Sequence, residues 1–434
     1  FSTPEFCEPS PVTLDLLTKA PAPQNHPGRE QRASESGRYK PKSGAPPRPG
    51  RGGRQDGPYK GSSRDETMSR RTRSAVQDPE KWLFLDTETT GLAGGTGTYA
   101  FLVGLAWWDG GGLQVEQLFL RDFSEEHSLL HELSARLAER PVLVTFNGKS
   151  FDWPLLENRF TMTRAIRVPM LAAHLDLLHP ARALWKLRLG SVRLVELERH
   201  VLDAARLGWH REDDVSSALI PQFYFDYLRG GSAKPLAGVV KHNQMDLRGL
   251  AALFGKINSL LDEREASQQS ADSLDLFGLS RYLNRRGEKE RAHAMCAQAL
   301  GAGLPAEFRP QATRELAIMA RRRGDVERAA TLWLELVHDP QDGVDACEHL
   351  AIHYERNARD LPRAVEFAQL ALAKLQRQYT NPRDPYATAR AARSEEKLLC
   401  RVERLRHRIE RSAGHAHVPL LAHSAATGAG SRSR

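Results

Sequence analysis

Hydrophobic runs and their periods predict an α/β domain in the first half of the chain. The apolar run 82–86 (WLFLD) predicts a strand, and residues 98–122 predict two further strands joined by the turn 109–112 (DGGG). Residues 124–140 carry apolar positions at helical spacing, and Ser124 is the predicted N-cap of that helix. The pattern therefore begins with strands and continues into a helix.

Later segments extend the same pattern. The run 142–146 (VLVTF) predicts a buried strand that leads into a turn at Asn147, and a helix is predicted around 154–160, with Pro154 in its first turn. A longer helix is predicted from about Val239 to Leu261. Strands followed by mixed strand and helix units indicate an α/β sheet domain over residues 79–262.

Residues 272–411 have a purely helical hydrophobic period. Three segments superimpose, each with an apolar helix, a polar corner and an alanine-rich second helix, and the corners lie at Gly287, Gly324 and Arg359. Successive corners are 37 and 35 residues apart, close to the period of about 34 residues of tetratricopeptide (TPR) repeats, which these units resemble. We therefore expect an all-α stack of TPR-like hairpins that either binds a protein partner or extends the path of the nucleic acid.

Composition predicts a tail at each end of the chain. Residues 26–74 contain no Leu, Ile, Val, Phe or Trp and hold 13 Lys or Arg against 5 Asp or Glu. Such a segment cannot bury enough apolar area to offset its ordering entropy, so we expect 1–78 to be a disordered basic tail. Residues 412–434 are predicted as a second disordered tail. The formal charge of +8 thus belongs to the first tail, which serves either solubility or attraction to nucleic-acid phosphates.

Several function classes lack the sequence features that they need. No run of roughly 18 apolar residues is present, so no membrane span is expected. The four cysteines (Cys7, Cys296, Cys347 and Cys400) show no CxxC spacing, which favours reduced thiols in a cytoplasmic protein. The segment 94–97 (GGTG) lacks the lysine and spacing of a P-loop, and no serine lies in a GxSxG motif.

Acidic residues stand at three of the predicted elements. Asp86 and Glu88 are two residues apart in an extended segment, so their side chains leave the same face. Asp152 lies at the start of a predicted helix. Its carboxylate either caps that helix or belongs to a catalytic site. His242 and Asp246 are one helical turn apart and share a face. An unpaired buried carboxylate is costly, so an acid on the packed face of a helix requires a partner.

In this order the motifs resemble those of the DEDD superfamily of 3′–5′ exonucleases, and more closely those of YprB-like ribonuclease H-like proteins. The resemblance rests on LDTETTGLAGGTGTYAFLVGLAW, VTFNGKSFDWPLLENRF, HLDLLHPARALWK and HNQMDLRGLA. It covers nearly all of residues 82–256. It implies a ribonuclease H-like mixed sheet with flanking helices.

The resemblance also implies a metal site. Asp86, Glu88, Asp152 and Asp246 would bind two divalent ions, Mg²⁺ or Mn²⁺, for which oxygen ligands are suited. Four clustered carboxylates raise one another's pKa unless cations neutralise them. Two such ions activate a water molecule and stabilise the leaving 3′ oxygen of a phosphodiester.

His242 is the expected general base, since a histidine titrates near neutral pH. It stands four residues before Asp246, so it combines the residue type of one DEDD group with the spacing of another. The alternative is that His242 orients Asn243 or a ligand carboxylate.

The resemblance also suggests residues that contact substrate. Thr89, Thr90, Gly91 and Leu92 would meet the terminal nucleotide, or they simply form a tight turn. Asn147 would support the site or make its own turn. Asp176 is a secondary candidate, either as a further acid near the metals or as a helix-capping acid.

We therefore expect a metal-dependent nuclease, a 3′–5′ exonuclease acting on single-stranded DNA or RNA, with the basic tail recruiting substrate. The alternative is a non-catalytic nucleic-acid-binding or adaptor protein in which the TPR-like repeats bind protein partners. The presence of all four acids favours the enzyme, whereas the spacing of His242 favours the alternative.

Overall fold

The computed structural model describes residues 75–91, 97–109, 112–206, 208–209, 211, 214–262, 272–378 and 385–415. Most of the two predicted tails lies outside these residues. None of the helices in the described part of the chain is long and apolar enough to span a membrane. The chain divides into two compact units, Phe1–Ala271 with Arg281–Glu288 and Asp272–Ser280 with Lys289–Arg434.

A five-stranded mixed sheet lies at the centre of the first unit. Its strands are β1 (Trp82–Thr89), β2 (Ala100–Asp109), β3 (Gly112–Phe119), β4 (Val142–Thr145) and β5 (Ala173–Asp176). The spatial order is β3-β2-β1-β4-β5. β2 runs antiparallel to both β1 and β3, whereas β4 runs parallel to both β1 and β5. The predicted mixed α/β sheet is confirmed.

The apolar run at the start of β1 explains why this strand is central. Trp82, Leu83, Phe84 and Leu85 are consecutive, and each is at most 1% exposed. Successive side chains of a strand point to opposite faces, so both faces of β1 must be covered. A strand of this kind forms only inside a layered α/β domain.

Six helices accompany the sheet in the described residues. They are α1 (Glu126–Glu139), α2 (Asp152–Thr163), α3 (Leu178–Leu189), α4 (Leu194–His200), α5 (Ile220–Leu228) and α6 (Lys234–Leu261). The predicted long helix is α6, and it begins five residues earlier than expected because Pro235 is accommodated in its first turn.

The predicted N-cap at Ser124 is wrong. Ser124 lies inside a 3-10 turn, Phe123–Glu125, that precedes α1. Asp122 caps this turn, because its Oδ1 accepts the Ser124 backbone N–H at 2.9 Å, whereas α1 itself begins without a side-chain cap. An aspartate and a serine both cap well, and the extra turn moves the start of the helix beyond the serine.

The described helices that follow residue 272 are α7 (Ser273–Arg286), α8 (Lys289–Gly301), α9 (Arg309–Arg322), α10 (Val326–Glu335), α11 (Gly343–Arg356), α12 (Leu361–Gln378) and α13 (Pro385–His415). Each predicted corner joins two helices and has a positive φ: 95° at Gly287, 86° at Gly324 and 55° at Arg359. The pairs α9 with α10 and α11 with α12 are thus helical hairpins, and all three corners share one backbone conformation. Their assignment as TPR repeats stays a prediction.

Candidate metal centre

Strand β1 presents two carboxylates toward helix α6. Trp82 and Phe84 point to this side of the sheet, because both rings contact Phe254 of α6 edge-on at 5.0 and 5.7 Å between centroids. Asp86 and Glu88 continue the same alternation along the strand. The sequence spacing that predicted a shared face is therefore seen in the fold.

Asp152 and Asp246 come from two helices. Asp152 is the first residue of α2, where the helix dipole favours a negative charge. The Thr87 hydroxyl donates a hydrogen bond to Asp152 Oδ1 at 2.6 Å, which ties the start of α2 to β1. Asp246 lies in the middle of α6, one turn after His242.

The four acids form one electrostatic cluster. Burial raises the pKa of the Asp86 carboxyl well above its usual range, and repulsion by Asp246, Asp152 and Glu88 adds to the effect. Burial, together with the charges of Asp246 and Asp152, raises the pKa of Glu88 to about 8. Burial also raises the pKa of Asp152, and the hydrogen bond from Thr87, which lowers this pKa, offsets only part of the effect. Acids that resist ionisation together are suited to neutralisation by a cation, and their oxygen donors fit Mg²⁺ or Mn²⁺.

Neighbouring donors occupy part of this cluster. Within the described ranges, no three His, Cys, Asp or Glu side chains are arranged to hold a metal ion as they stand. Three of the acids each accept a hydrogen bond on one oxygen: Asp86 from Asn243, Asp152 from Thr87 and Asp246 from Arg211. A cation at this site would therefore share these carboxylates with neutral donors at Asp86 and Asp152 and with a charged donor at Asp246.

The two ring nitrogens of His242 have different neighbours. Nε2 faces the acidic cluster, and Nδ1 faces the carboxylate of Asp214. Its Nδ1 is 2.7 Å from Asp214 Oδ1. Its Nε2 is 3.5 Å from Asp246 Oδ2 and 4.0 Å from Glu88 Oε1. A carboxylate at Nδ1 favours the tautomer that carries its proton there, which leaves the Nε2 lone pair directed at the acids. This arrangement suits a proton acceptor.

Sequence analysis missed Asp214, Arg211 and Glu198. Arg211 donates to Asp246, to Asp214 at 3.1 Å and, through two nitrogens, to Glu198 at 2.6 and 2.7 Å. These residues lie on α4 and on the irregular connection to α5. No signal in the sequence distinguishes them, since charged residues in a polar connection are usually solvated.

Asn243 holds Asp86 from the interior of the domain. It is fully buried, and its amide nitrogen donates to Asp86 Oδ2 at 2.8 Å. Its amide oxygen accepts a hydrogen bond from Gln117 at 2.8 Å. In the sheet, Gly104 of β2 lies opposite Asp86 of β1 on one side and opposite Gln117 of β3 on the other. A Cβ at Gly104 would lie 2.1 Å from Asn243 Oδ1, so only glycine leaves room for this amide.

A cleft of about 470 Å³ opens beside Glu88 and Asp152. Of the predicted substrate residues, Thr89 and Gly91 line it, whereas Thr90 and Asn147 are not among its described lining residues. Leu92 lies outside the described residues. The cleft is also lined by Phe151, which is 59% exposed and which sequence analysis did not single out.

Asp176 shapes the loop that leads to Asp152. Its carboxylate accepts the backbone N–H groups of Asn147 at 2.8 Å, Lys149 at 3.1 Å and Leu178 at 3.0 Å. Asn147 has a positive φ of 69°, as a tight turn requires. Asp176 and Asn147 thus build the turn after β4, and the three backbone donors leave Asp176 little capacity as a metal ligand.

Comparisons with known proteins agree with this architecture. Residues 83–258 match the family model described as RNase_H superfamily. The chain is 28% identical over 330 residues to the uncharacterized protein YprB of Bacillus subtilis (strain 168), which covers 75% of this chain and 74% of that protein. The crystal structure of BtubC (BKLC) from P. vanneervenii aligns with 55% of this chain and 97% of its own, at 18% identity. Its TM-score of 0.24 is too low to support an inference. Residues 83–258 therefore form a ribonuclease H-like sheet domain, similar to the RNase_H superfamily whose model they match.

Proposed function

We propose that the protein is a metal-dependent nuclease, a DEDD-type 3′–5′ exonuclease that hydrolyses single-stranded nucleic acid. The observation that carries this proposal is that Asp86, Glu88, Asp152 and Asp246 lie close enough to repel one another, with an open cleft beside Glu88 and Asp152. Burial and mutual repulsion raise the pKa values of Asp86, Glu88 and Asp152. Active sites concentrate such perturbed groups, whereas a purely structural interior has little reason to keep them.

The four carboxylates are the proposed ligands of two divalent ions, Mg²⁺ or Mn²⁺. Bound there, such ions polarise the phosphoryl oxygens, lower the pKa of water and stabilise the leaving 3′ oxygen. The protein contributes the positions of the oxygens. Thr87 and Asn243 fix Asp152 and Asp86, so two of the four ligands are oriented before any ion arrives.

His242 is the proposed general base. It accepts the proton of the attacking water at Nε2, on the side of Glu88 and Asp246. Asp214 accepts a hydrogen bond from Nδ1–H and stabilises the imidazolium that results. This geometry favours the role of base over that of orienting Asn243, while the alternative of orienting a ligand carboxylate would use the same Nε2 beside Asp246.

The cleft is the proposed place of the terminal nucleotide. Thr89 and Gly91 line it, and the exposed ring of Phe151 offers a surface for base stacking. Thr90, Leu92 and Asn147 stay proposed substrate residues. The basic segment 26–74 is proposed to attract the phosphate backbone.

A second candidate function is binding of nucleic acid without cleavage. The observation that favours it is that Arg211 holds Asp246 and that the described ligand-type side chains are not arranged around an ion. In this case the helical hairpins after residue 272, proposed as TPR-like repeats, bind a protein partner in the cytoplasm, and the sheet domain serves as a nucleic-acid anchor.

One experiment separates the two functions. The full-length protein is incubated with end-labelled single-stranded DNA or RNA in Mg²⁺, Mn²⁺ or EDTA, and binding and cleavage are measured on the same samples. The nuclease proposal predicts shortening in at least one metal and intact substrate in EDTA. Tight binding with intact substrate in every condition would favour the second candidate.

A further inference from the structure

Arg211 places a positive charge at the edge of the acidic cluster, against Asp246. Its Nη2 donates to Asp246 Oδ1 at 2.5 Å, and its Nη1 donates to Asp214 Oδ2 at 3.1 Å. Nε and Nη2 form a fork on Glu198 at 2.7 and 2.6 Å. The Arg211 side chain is only 9% exposed. A guanidinium therefore engages one oxygen of a carboxylate that the proposed function assigns to a divalent cation.

The contacts of Arg211 to Glu198 and to Asp246 are unequal. Glu198 accepts two hydrogen bonds in the bidentate geometry that guanidinium favours, and its side chain is 4% exposed. Its carboxylate lies against Gly249 of α6, where a Cβ would be 2.0 Å from Oε1. Asp246 receives a single contact from Arg211. Arg211 can thus leave Asp246 and still keep a buried carboxylate as its partner.

The main chain near Arg211 is fixed against α6. Trp209 is 6% exposed and packs with Met245 and Ala252 of that helix. The Arg248 guanidinium lies 4.8 Å from the centroid of the Trp209 ring. Because Trp209 anchors the chain two residues away, only the end of the Arg211 side chain has to move for the Asp246 contact to break.

We propose that Arg211 is a resident counter-ion that competes with the divalent cation for Asp246. In the metal-free protein its guanidinium neutralises Asp246. When an ion binds to Asp246, the guanidinium withdraws to Glu198 and Asp214. The inference rests on the proposed metal site and adds that Arg211 sets the affinity of this site for its ion.

This competition predicts how two substitutions change the affinity of the site for a divalent ion. A guanidinium and a divalent ion repel each other, so they cannot share Asp246 without a loss of affinity. Arg211→Gln removes the competitor and tightens ion binding. Glu198→Gln weakens the contact to which Arg211 withdraws, so Arg211 holds Asp246 more firmly and ion binding weakens. A purely structural role for Arg211 does not give effects of opposite sign.

The test is calorimetric titration of the full-length protein with MnCl₂ and no nucleic acid. Arg136→Gln serves as a matched control, since Arg136 of α1 forms an ion pair with Glu116 of β3 at 2.7 Å. We expect Arg211→Gln to bind Mn²⁺ at least tenfold more tightly than the wild type and Glu198→Gln at least threefold more weakly. The control should stay within twofold.

An affinity of Arg211→Gln within twofold of the wild type would overturn the proposal. Where Arg211→Gln does not fold, Glu198→Gln decides, and an unchanged or raised affinity would overturn it. No Mn²⁺ binding in the wild type or in either variant would overturn both this proposal and the proposed metal site. Mn²⁺ binding with the expected order of affinities but without cleavage of nucleic acid would support the role of Arg211 and overturn the nuclease function alone.

Discussion

At the scale of single residues, the candidate site depends on side chains that reach it from neighbouring elements. The four acids could be predicted because the motifs that contain them resemble those of a known family, whereas spacing alone placed only Asp86 with Glu88 on one face and His242 with Asp246 on another. Asp214, Arg211 and Glu198 could not, because they meet the acids only through the path of the chain between α4 and α5. The sequence suggested Asn243 only as a possible partner of His242, whereas in the structure its side chain donates a hydrogen bond to Asp86.

The close approach of Asn243 to Gly104 leads to a prediction on stability. Gly104→Ala should lower the free energy of unfolding by about 1–3 kcal/mol, because the new methyl group overlaps Asn243 Oδ1 and Leu247 Cδ1. In an Asn243→Ala background the same substitution should cost at least about 1 kcal/mol less, as expected for residues in contact. Urea unfolding of the four proteins in EDTA measures both quantities.

Gly255→Ala is the matched control, since no atom lies within 4 Å of a Cβ built at Gly255 of α6. It should be neutral or stabilising, because alanine favours helix over glycine by about 1 kcal/mol. Equal costs of Gly104→Ala in the two backgrounds would show that the two residues do not interact.

The assignment of His242 as general base leads to a second prediction. His242→Gln should lower the cleavage rate about 10²- to 10⁴-fold, the usual contribution of a general base, while Mn²⁺ binding is retained. Asp214→Asn should lower the rate less and alter its pH profile, because Asp214 acts through the imidazole. Single-turnover rates and metal titrations on the same samples check this.

His200→Gln is the control, since the His200 side chain is 46% exposed at the end of α4. It should leave the rate unchanged. A wild-type rate for His242→Gln would remove His242 from the chemistry without affecting the metal site.

At the scale of elements, the prediction from sequence succeeded where the hydrophobic period was strong. Strands β1, β2, β3 and β4 follow apolar runs, and helix α6 follows a long amphipathic pattern. Strand β5 was missed because it has only four residues, of which two are buried. Helices α3, α4 and α5 were also missed, since residues 164–238 show no single dominant period.

The corners of the helical hairpins give a prediction at this scale. Arg359 has a φ of 55°, a conformation that disfavours residues with a Cβ, and its side chain is exposed. Arg359→Gly should therefore raise the free energy of unfolding by about 0.5–1 kcal/mol. Gly324→Arg, at the equivalent corner, should lower it by a similar amount. Thermal unfolding measures both, and a loss of stability in Arg359→Gly would contradict the account of the corner.

The contact between α10 and α11 predicts a pH dependence. His349 stacks on Trp333 at 4.4 Å, and its Nδ1 is 3.2 Å from the Arg321 guanidinium. Burial, with the charge of Arg321, lowers the pKa of His349 to about 4. Between this value and the usual pKa near 6.5, the unfolded chain binds a proton that the fold excludes. Stability should therefore fall as the pH falls from about 6.5 toward 4.

His349→Phe keeps a ring against Trp333 and removes the titration, so its melting temperature should fall less between pH 7 and pH 5 than that of the wild type. His407→Phe is the control, since the His407 side chain is 70% exposed. Identical slopes for His349→Phe and the wild type would show that His349 does not cause the dependence.

At the scale of the whole molecule, the sequence predicted the order of the sheet domain and the helical hairpins. The fold explains why the acids meet, because strands β1 and β4 lie next to each other and run parallel. Their carboxyl ends therefore bring Asp86, Glu88 and the turn before Asp152 to one edge of the sheet. Contacts that depend on the detailed path of irregular segments, such as Arg211 with Asp246, could be seen only in the folded chain.

The central claim is that the four carboxylates catalyse phosphodiester hydrolysis. Its most direct test follows 5′-labelled single-stranded oligonucleotides in Mn²⁺ or Mg²⁺ with the wild type, with Asp86→Asn and with Asp226→Asn, a control at an exposed residue of α5. The proposal predicts a ladder of stepwise shortening from the 3′ end with the wild type and the control, and intact substrate with Asp86→Asn. Equal cleavage by Asp86→Asn, or no cleavage by the wild type in either metal, would contradict it.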